Sequence, residues 1–552
     1  MNSVAGPGLA NLRGSFRNGQ VFLQWDEVEL PPGTRLHVYS AAGPIAEGNL
    51  AGATCLARHL LPGSARDWWL DPASFQKGTP STNHAGWRLA AGAERIDPAG
   101  GLFVHTVRAD TAGLRHYAVQ AEGLSLLATA EPIAGEVGQV QPIWQDDTGD
   151  LSGAGAAKGG SLWLSLHGRG GGATAGERAS AFNCLWFGDA SQGWREGLAF
   201  KFRLAVSPER VTITPLDRAW VGRPVLESRD GRDHCPAINT WWYGYHSEIW
   251  RTTDTPTAVA PNYTERYLLA LVRWAQNHLG TDPARTYVTG GSMGGSGTVA
   301  LAIHFPEVFA AAHAQVPVYS LTRPGQGSAQ RLECMVGSLR DREVLTVDGI
   351  PLLDHMNGTR NVLAAKGDLP PMFATNGRKD GSIPWENNPP FYAAMNQTRQ
   401  AFAVFWNDGD HGMSSQAPDD AKQWSAQLER YRLDRAYPAF SNCSDSRNYG
   451  QGDPKDGDLV GWINRGLGWR DLEDTPEAFA LTVTAAHPEL VYPVTVDVTP
   501  RRLQAFRPRP GATLRVTVGG KPLSVTVGAD GRFTIPAVSI ADAPGTAIRV
   551  VR

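Results

Sequence analysis

A serine, an aspartate and a histidine in this sequence have the residue types of a proton relay: Ser292, Asp380 and His411. Ser292 lies at the centre of residues 290–294, a G-x-S-x-G pattern that no other serine of the chain shares. A serine hydroxyl is a weak nucleophile unless a base takes its proton, and the base needs an acid to orient it. The three residues therefore predict acyl transfer through a covalent intermediate on Ser292.

The segments on either side of Ser292 predict a strand, a sharp turn and a helix. Residues 286–289 are β-branched or aromatic, which favours a short buried strand. Residues 298–302 are mostly apolar and can form the start of a helix. Glycines beside the serine permit a strained turn against a neighbouring strand and helix. This context predicts a nucleophile elbow.

Asp380 and His411 each follow a further predicted strand. Residues 372–375 predict a strand that leads to Asp380, and the largely apolar residues 401–406 predict another that leads to His411. The carboxyl ends of parallel strands meet at one edge of a sheet, so we expect both side chains near Ser292. Asp380 would then fix the imidazole tautomer and His411 would act as the base.

Other acids and bases compete for these two roles. Asp408 and Asp410 are rival acids, but they lie so close to His411 in the sequence that a turn back onto its Nδ1 is awkward. The rival bases are His167, His246 and His355. His167 is expected to shape its own loop, and the other two do not follow a predicted strand.

A second strand end offers an oxyanion site. Residues 162–166 predict a strand that runs directly into His167 and a glycine-rich stretch. Glycines let backbone N–H groups approach the oxygen on which negative charge develops. The predicted donors are the N–H groups of Met293, Gly168, Arg169 and Gly170. A phosphate-binding P-loop is excluded because no Gly-Lys-Ser/Thr ending follows.

The elements around the elbow alternate between helix and strand, which is typical of a parallel sheet covered by helices. Residues 262–265 resemble a capping box, and the apolar residues that follow recur at helical spacing up to Gly280. Residues 160–433 resemble the α/β-hydrolase superfamily, and residues 290–295 and 377–380 are similar to its secreted esterase and prolyl-oligopeptidase-like branches. The resemblance implies a mostly parallel sheet with helices on both faces.

An aromatic loop precedes the predicted helix. It contains Trp241, Trp242, Tyr243 and Tyr245. Such a loop could line the mouth of the site and stack on a sugar or an aromatic substrate, or it could pack over the sheet. We retain both interpretations, with these four residues as candidate substrate-binding groups.

The whole chain is predicted as an α/β catalytic domain between two β-sandwiches. The predicted bounds are 1–145 for an N-terminal β-domain, 146–440 for the catalytic domain, 441–475 for a connector and 476–552 for a C-terminal β-domain. Trp25 early and Tyr117 late in the first domain resemble a fibronectin type III pattern. Period-two alternation with hairpin signals at Gly519-Gly520 and Asp530-Gly531 makes the last domain resemble an immunoglobulin-like module.

Composition narrows the classes of partner. A formal charge of -3 gives no reason to expect a nucleic acid or an anionic membrane, and no apolar run has the length of a membrane span. The 5 cysteines are irregularly spaced without a CxxC pair, so one or two disulfides fit better than zinc or dithiol chemistry, and we expect no cofactor. Residues 1–7 lack the basic and apolar regions of a signal peptide. The flanking β-domains nevertheless favour a secreted or periplasmic enzyme.

Ester and amide substrates use the same catalytic groups, so several functions fit. Cleavage of an ester that is carbohydrate-linked or polymeric is favoured by the aromatic loop, the 18 tryptophans and the two β-domains. A polyester depolymerase and a prolyl-oligopeptidase-like peptidase are alternatives, although no propeller repeat precedes the catalytic part. A non-catalytic binding protein on a hydrolase scaffold is the fourth possibility, which the presence of all three catalytic residue types disfavours.

Overall fold

The computed structural model describes most of the chain. The described residues are 8–60, 62–67, 88–97, 100–144, 156–167, 183–188, 199–217, 219–220, 237–238, 240–246, 259–321, 332, 335–337, 339 and 342–552. Among them, no helix is both long enough and apolar enough to cross a membrane. Cys55 and Cys443 are free thiols, which leaves at most one of the predicted disulfides, and Cys184 is buried.

A ten-stranded mixed sheet forms the centre of the molecule. In spatial order its strands are β21 (Gly461–Ile463), β19 (Phe402–Asn407), β18 (Met372–Gly377), β17 (Ala311–Gln315), β16 (Thr286–Gly291), β10 (Ser161–His167), β13 (Arg210–Pro215), β12 (Ala199–Val206), β11 (Cys184–Phe187) and β9 (Ile143–Trp144). The six strands from β19 to β13 are parallel to one another, and the outer ones are antiparallel. A mostly parallel sheet of this kind requires helices on its faces, so the predicted α/β-hydrolase fold is confirmed.

Along the chain, the described helices other than the first lie between strands of the central sheet or directly after β19, and the first lies in the N-terminal region. They are α1 (Ser64–Asp67), α2 (Tyr263–His278), α3 (Met293–His304), α4 (Leu352–His355), α5 (Gly358–Ala364), α6 (Asn388–Gln397), α7 (Asp419–Lys422) and α8 (Trp424–Gln427). The predicted apolar face of α2 is confirmed, since Tyr267, Leu271 and Trp274 are buried. The capping-box prediction is wrong: Asn262 makes no side-chain cap and instead donates to the side chain of Glu265.

The N-terminal region contains two sheets. A three-stranded sheet has the order β1 (Gly8–Arg17), β2 (Gln20–Val28) and β5 (Gly101–Thr106). The other comprises β4 (Thr54–Leu60), β3 (Leu36–Ala41), β6 (Gly113–Ala121) and β7 (Leu127–Thr129), with β8 (Ile133–Gly135) on β6. Trp25 and Tyr117 both lie in the apolar core of this region. The core is that of a layered β-structure; the fibronectin type III resemblance stays a prediction. A separate short pair joins β14 (Ala219–Trp220) to β15 (Ala237–Ile238).

The C-terminal region also contains two sheets. One has the order β20 (Tyr437–Ser441), β24 (Val494–Arg501) and β27 (Ile535–Ile540), and the other β22 (Leu467–Asp474), β23 (Ala478–Ala485), β28 (Thr546–Val551), β25 (Thr513–Val518) and β26 (Lys521–Thr526). Gly519-Gly520 forms the predicted hairpin turn, with both residues at positive φ. The hairpin expected at Asp530-Gly531 is wrong, because β26 and β27 enter different sheets.

The segment 441–475 is more than the predicted connector. Its strand β21 adds to the edge of the central sheet beside β19, and β22 is an edge strand of the C-terminal five-stranded sheet. Polar, glycine-rich composition concealed both strands: β21 pairs with β19, which is distant in the sequence, whereas β22 forms a hairpin with β23 directly after it. The segment therefore joins the catalytic sheet to the C-terminal sheets by direct pairing.

Candidate active site

The predicted elbow is present at the end of β16. Ser292 lies between β16 and α3 with φ 57° and ψ -123°, a strained conformation for a residue that has a side chain. Its N–H donates to the carbonyl oxygen of Gln315 at 2.8 Å, which fixes the turn to the neighbouring strand. A Cβ on Gly290 would lie 2.4 Å from the carbonyl oxygen of Gly294, and one on Gly295 would lie 2.5 Å from that of Gln315. Close backbone packing therefore demands these glycines.

The structure brings Ser292, His411 and Asp380 together in one hydrogen-bonded line. His411 Nε2 lies 2.7 Å from Ser292 Oγ, and His411 Nδ1 lies 2.6 Å from Asp380 Oδ2. The three side chains leave the carboxyl ends of β16, β19 and β18, as the strand predictions required. Because an ionised carboxylate can only accept, Nδ1 carries the proton and Nε2 presents its lone pair to the serine hydroxyl.

Asp380 is held more firmly than a single bond to His411 would achieve. Its Oδ1 accepts from the backbone N–H groups of Ser382 at 2.8 Å and Ile383 at 2.9 Å. Its side chain is 2% exposed, whereas that of His411 is 37% exposed. The hydrogen bond that His411 donates to Asp380 is the largest influence on His411 and raises its pKa above the ordinary value of 6.5, against the lowering effect of burial.

The rival acids and bases lie elsewhere. Asp408 pairs with Lys379 Nζ at 2.6 Å, and Asp410 Oδ1 accepts from the N–H of Gly412 at 2.8 Å. His246 is fully buried, and His355 lies beside Glu265. His167 ends β10, but its side chain is outside the described part of the chain.

Of the four predicted oxyanion donors, the structure describes only Met293. Met293 is the first residue of α3, so its backbone N–H belongs to the helix N-terminus, where intrahelical acceptors are lacking. Gly168, Arg169 and Gly170 lie outside the described residues, and their role stays a prediction. The strand before them is well placed, since His167 is in register with Gly291, directly beside the elbow.

The aromatic loop is packed rather than open. Trp241, Trp242, Tyr243 and Tyr245 are 4%, 1%, 1% and 0% exposed and belong to the core of the catalytic domain. Trp242 packs on the elbow helix so closely that a Cβ on Gly297 would lie 2.2 Å from its Cδ1. The substrate-binding interpretation is therefore wrong for this conformation, and the packing alternative holds: a ring without accessible surface cannot stack on a substrate.

Sequence reasoning missed the residue that anchors the acid loop. Arg378 is 1% exposed, and its guanidinium donates to the backbone carbonyl oxygens of Asp453, Pro454, Asp456 and Asp458. The ring of Trp385 lies under it at 4.7 Å. An arginine in a Gly-Arg-Lys-Asp stretch looks solvent-exposed. Arg378 is buried only because the polar segment 453–458 folds back to this side of the sheet and offers its carbonyl oxygens to the guanidinium.

Comparison with known proteins agrees with the fold. The model of the prolyl oligopeptidase family matches residues 263–434, which include Ser292, Asp380 and His411. The α/β-hydrolase fold, the elbow and this match define the chain as a serine hydrolase. No curated protein matches the sequence.

Solved structures show similarity at low sequence identity. An S-formylglutathione hydrolase from Agrobacterium tumefaciens is 14% identical with a TM-score of 0.34, covering 59% of this chain and 93% of the other. A propionate-bound esterase, Est2 from Thermogutta terrifontis, is 17% identical with a TM-score of 0.27, covering 53% and 91%. A chain from a study of two prolyl endopeptidases is 14% identical with a TM-score of 0.31, covering 77% of this chain and 52% of the other.

Proposed function

We propose that the chain hydrolyses carboxylic esters by an acyl-enzyme mechanism with Ser292 as nucleophile, His411 as general base and acid, and Asp380 as the orienting acid. The observation that carries this proposal is the unbroken line from Ser292 Oγ through the imidazole of His411 to the buried carboxylate of Asp380. Both contacts in the line are within hydrogen-bond distance. Because the carboxylate of Asp380 can only accept, His411 donates through Nδ1, and its Nε2 therefore accepts from Ser292 Oγ.

Acylation begins when Ser292 Oγ attacks the substrate carbonyl carbon and its proton passes to His411 Nε2. The imidazolium that results is stabilised by Asp380, whose two backbone hydrogen bonds prevent the carboxylate from turning away. His411 then returns the proton to the leaving alkoxide, which departs as an alcohol and leaves the acyl group on Ser292. A water molecule repeats the sequence on the acyl-enzyme and releases the acid.

Negative charge on the tetrahedral intermediate needs donors on the opposite side of the carbonyl. The N–H of Met293 at the start of α3 is one donor, and the helix N-terminus adds a favourable field. A second donor from residues 168–170 completes the proposal. Each such donor contributes about 3 kcal/mol to lowering the barrier.

The substrate class we propose is an ester that is carbohydrate-linked or polymeric. The catalytic sheet has a β-rich region on each side along the chain, and the C-terminal one is joined to it through β21 and β22. Accessory domains that hold an extended substrate raise its effective concentration at the nucleophile. The buried aromatic loop no longer contributes to this choice.

A serine peptidase is the second candidate, and the match of residues 263–434 to the prolyl oligopeptidase family favours it. An amide differs from an ester only in the leaving group, which His411 would protonate in the same way. The described N-terminal strands form sheets of three and five strands rather than repeated propeller blades. A filter of the propeller type is therefore not what this region would supply.

The test combines labelling with turnover. A fluorophosphonate should modify the wild-type chain once, at Ser292, and Ser292→Ala should lose both the label and about 10⁴-fold or more of kcat toward p-nitrophenyl acetate. Ser207→Ala, in the exposed turn between β12 and β13, is the matched control and should retain both. Normal turnover in Ser292→Ala would overturn the proposal.

A substrate panel then separates the two candidates. It contains acetylated, feruloylated and methyl-esterified glycans, polyester films, and proline-containing peptides. We expect the highest kcat/KM on a glycan ester or a polyester. Cleavage of the peptides alone would favour the peptidase and reject the ester proposal while leaving the role of Ser292 intact.

A further inference from the structure

A buried acid occupies the helix that precedes the elbow strand. Glu265 lies in the first turn of α2 and is 1% exposed, and it does not serve the capping box that the sequence predicted at residues 262–265. Carboxylates are rarely buried unless charged groups face them. The groups that face Glu265 come from two other helices.

Two histidines converge on one oxygen of Glu265. His304 Nδ1 lies 2.7 Å from Glu265 Oε1, and His355 Nε2 lies 3.7 Å from the same atom. The two imidazole rings are 3.9 Å apart between centroids. The three candidate ligand atoms all lie within 4.8 Å of one another. The side chains of Glu265, His304 and His355 are 2%, 8% and 20% exposed.

The hydrogen bonds around His304 show that this place suits a cation. His304 Nε2 faces the backbone carbonyl oxygen of His355 at 3.0 Å, so that nitrogen must donate. Its Nδ1 then faces a carboxylate oxygen, which can also only accept. The ring therefore satisfies both neighbours only when it carries a second proton, on Nδ1, or when Nδ1 binds a metal ion. Within the described part of the chain, His355 Nε2 is buried and has no hydrogen-bond partner.

Outer contacts fix the candidate ligands in the manner of a metal site. The second oxygen of the carboxylate, Glu265 Oε2, accepts from Asn262 Nδ2 at 2.9 Å, and the bond from His304 Nε2 to a backbone carbonyl sets the tautomer that leaves Nδ1 for a metal. His304 is also the last residue of α3, where the helix dipole favours positive charge.

A small cavity adjoins the two histidines. It is lined by His304 and His355 together with Ser296 and Tyr319, and about 20 Å³ of it is open to the centre of a water molecule. That is enough space for one water, which could complete a four-coordinate site. Apolar side chains that include Val299 and Ile303 also line the cavity.

We propose that Glu265 Oε1, His304 Nδ1 and His355 Nε2 bind one divalent transition-metal ion, with zinc the best match, and that a water is the fourth ligand. Two imidazoles with one carboxylate suit zinc and its neighbours, whereas magnesium and calcium prefer oxygen ligands alone. Tetrahedral zinc with bonds of about 2.0–2.1 Å separates its ligands by roughly 3.3 Å. The contact between Glu265 and His355 is already near that spacing, and the contact between Glu265 and His304 must widen by a small side-chain rotation.

Binding exchanges a proton for the metal. The Nδ1–H bond of His304 breaks, the proton leaves to solvent, and Nδ1 donates its lone pair to the ion. The ion would connect α2, the end of the elbow helix α3 and the end of α4. Its role is therefore structural: it fastens the helix that carries the nucleophile to two neighbours and takes part in no step of the acyl transfer.

Calorimetry on the full-length chain tests the site with zinc as the probe. After chelator treatment and dialysis, we expect one zinc ion bound per chain and an unfolding temperature that rises with zinc concentration. Cobalt(II) in place of zinc should give the intense visible bands of a tetrahedral site. The key variant is His355→Ala, which removes a ligand and keeps the pair between Glu265 and His304, so that the chain should still fold.

His355→Ala should weaken zinc binding by at least about 100-fold, because loss even of an outer contact costs 10–100-fold. His116→Ala, on strand β6 of the N-terminal region, is the matched control and should bind as the wild type does. Equal affinity and stoichiometry in wild type and His355→Ala would overturn the proposal, as would the absence of any zinc-dependent rise in unfolding temperature.

Discussion

The loop that carries the acid and the loop that carries the histidine are built in opposite ways. Asp380 has a side chain that is 2% exposed and is held by two backbone N–H groups, and the neighbouring Arg378 fastens the same loop to four carbonyl oxygens of residues 453–458. His411 has a side chain that is 37% exposed, and among the described residues its ring hydrogen-bonds only Ser292 and Asp380.

The contrast follows from what each group must do. The acid acts on the imidazole alone and needs no contact with solvent, so it can be buried because hydrogen bonds to both of its oxygens offset the cost of desolvation. The histidine must exchange protons with the serine, with the leaving group and with water, so one face of the ring must stay accessible. Rigidity in the acid loop thus sets the orientation of the more exposed base.

The largest effect should come from Asp380→Asn. An amide can donate to Nδ1 and select the wrong tautomer, so kcat/KM should fall by about 10⁴-fold with little change in fold. Steady-state kinetics on p-nitrophenyl acetate and circular dichroism measure the two quantities. Asp410→Asn, beside the histidine but outside the line, is the control and should lose less than about tenfold. Equal losses in both variants would remove the distinction between the loops.

Next in size is the loss of the anchor in Arg378→Met. Methionine keeps part of the apolar stem but removes the donor observed at the carbonyl oxygens of Pro454 and Asp456, whereas those of Asp453 and Asp458 still accept from the N–H of Asp456 and the indole of Trp406. Each oxygen left without a donor costs about 1–3 kcal/mol if water cannot reach it. We expect denaturant unfolding to show a loss of about 3 kcal/mol or more. We also expect kcat to fall by about 10–100-fold while KM changes less, because the acid is misplaced.

Arg378→Lys restores a charge and three donors without the planar fork, and should recover part of both losses. Arg430→Met removes a more exposed guanidinium that lies 3.9 Å from the ring of Trp469, and provides the matched control. If Arg378→Met were as stable and active as Arg430→Met, the acid loop would not depend on its anchor.

A smaller effect is expected in the pH profile. His411 must be neutral to accept the proton, and its raised pKa means that activity increases as pH rises through a midpoint above 6.5. Asp410 also raises this pKa through its charge. Asp410→Asn should therefore move the acidic limb of kcat/KM to lower pH. A midpoint that stays in place, or moves upward, would contradict the assigned influence.

The smallest effect should come from Lys379→Ala. Lys379 Nζ lies 2.6 Å from Asp408 Oδ2 and links the two loops, but the side chains are 66% and 36% exposed. Exposed ion pairs contribute less than about 1 kcal/mol and are screened by salt. Activity within twofold of wild type is expected, and a tenfold loss would show that the loops are coupled through their surface.

The sequence alone was sufficient to predict the strands and the turn that position Ser292, Asp380 and His411. Residue types at 286–294 define a strand, a turn and a helix, and apolar runs before Asp380 and His411 define two more strand ends. Local propensity and glycine requirements act over a few residues, so they can be read directly. The order of the parallel strands then brings their carboxyl ends to one edge of the sheet.

Tertiary structure alone decided which polar and aromatic groups are buried. The ring of Trp242 became core because α3 offers it a glycine, and Arg378 became a hub because a polar segment 75 or more positions away folds over it. Glu265 lies beside two histidines that come 39 and 90 positions later in the chain. Burial and pairing between distant segments depend on the whole packing, whereas the elbow depends only on its own backbone.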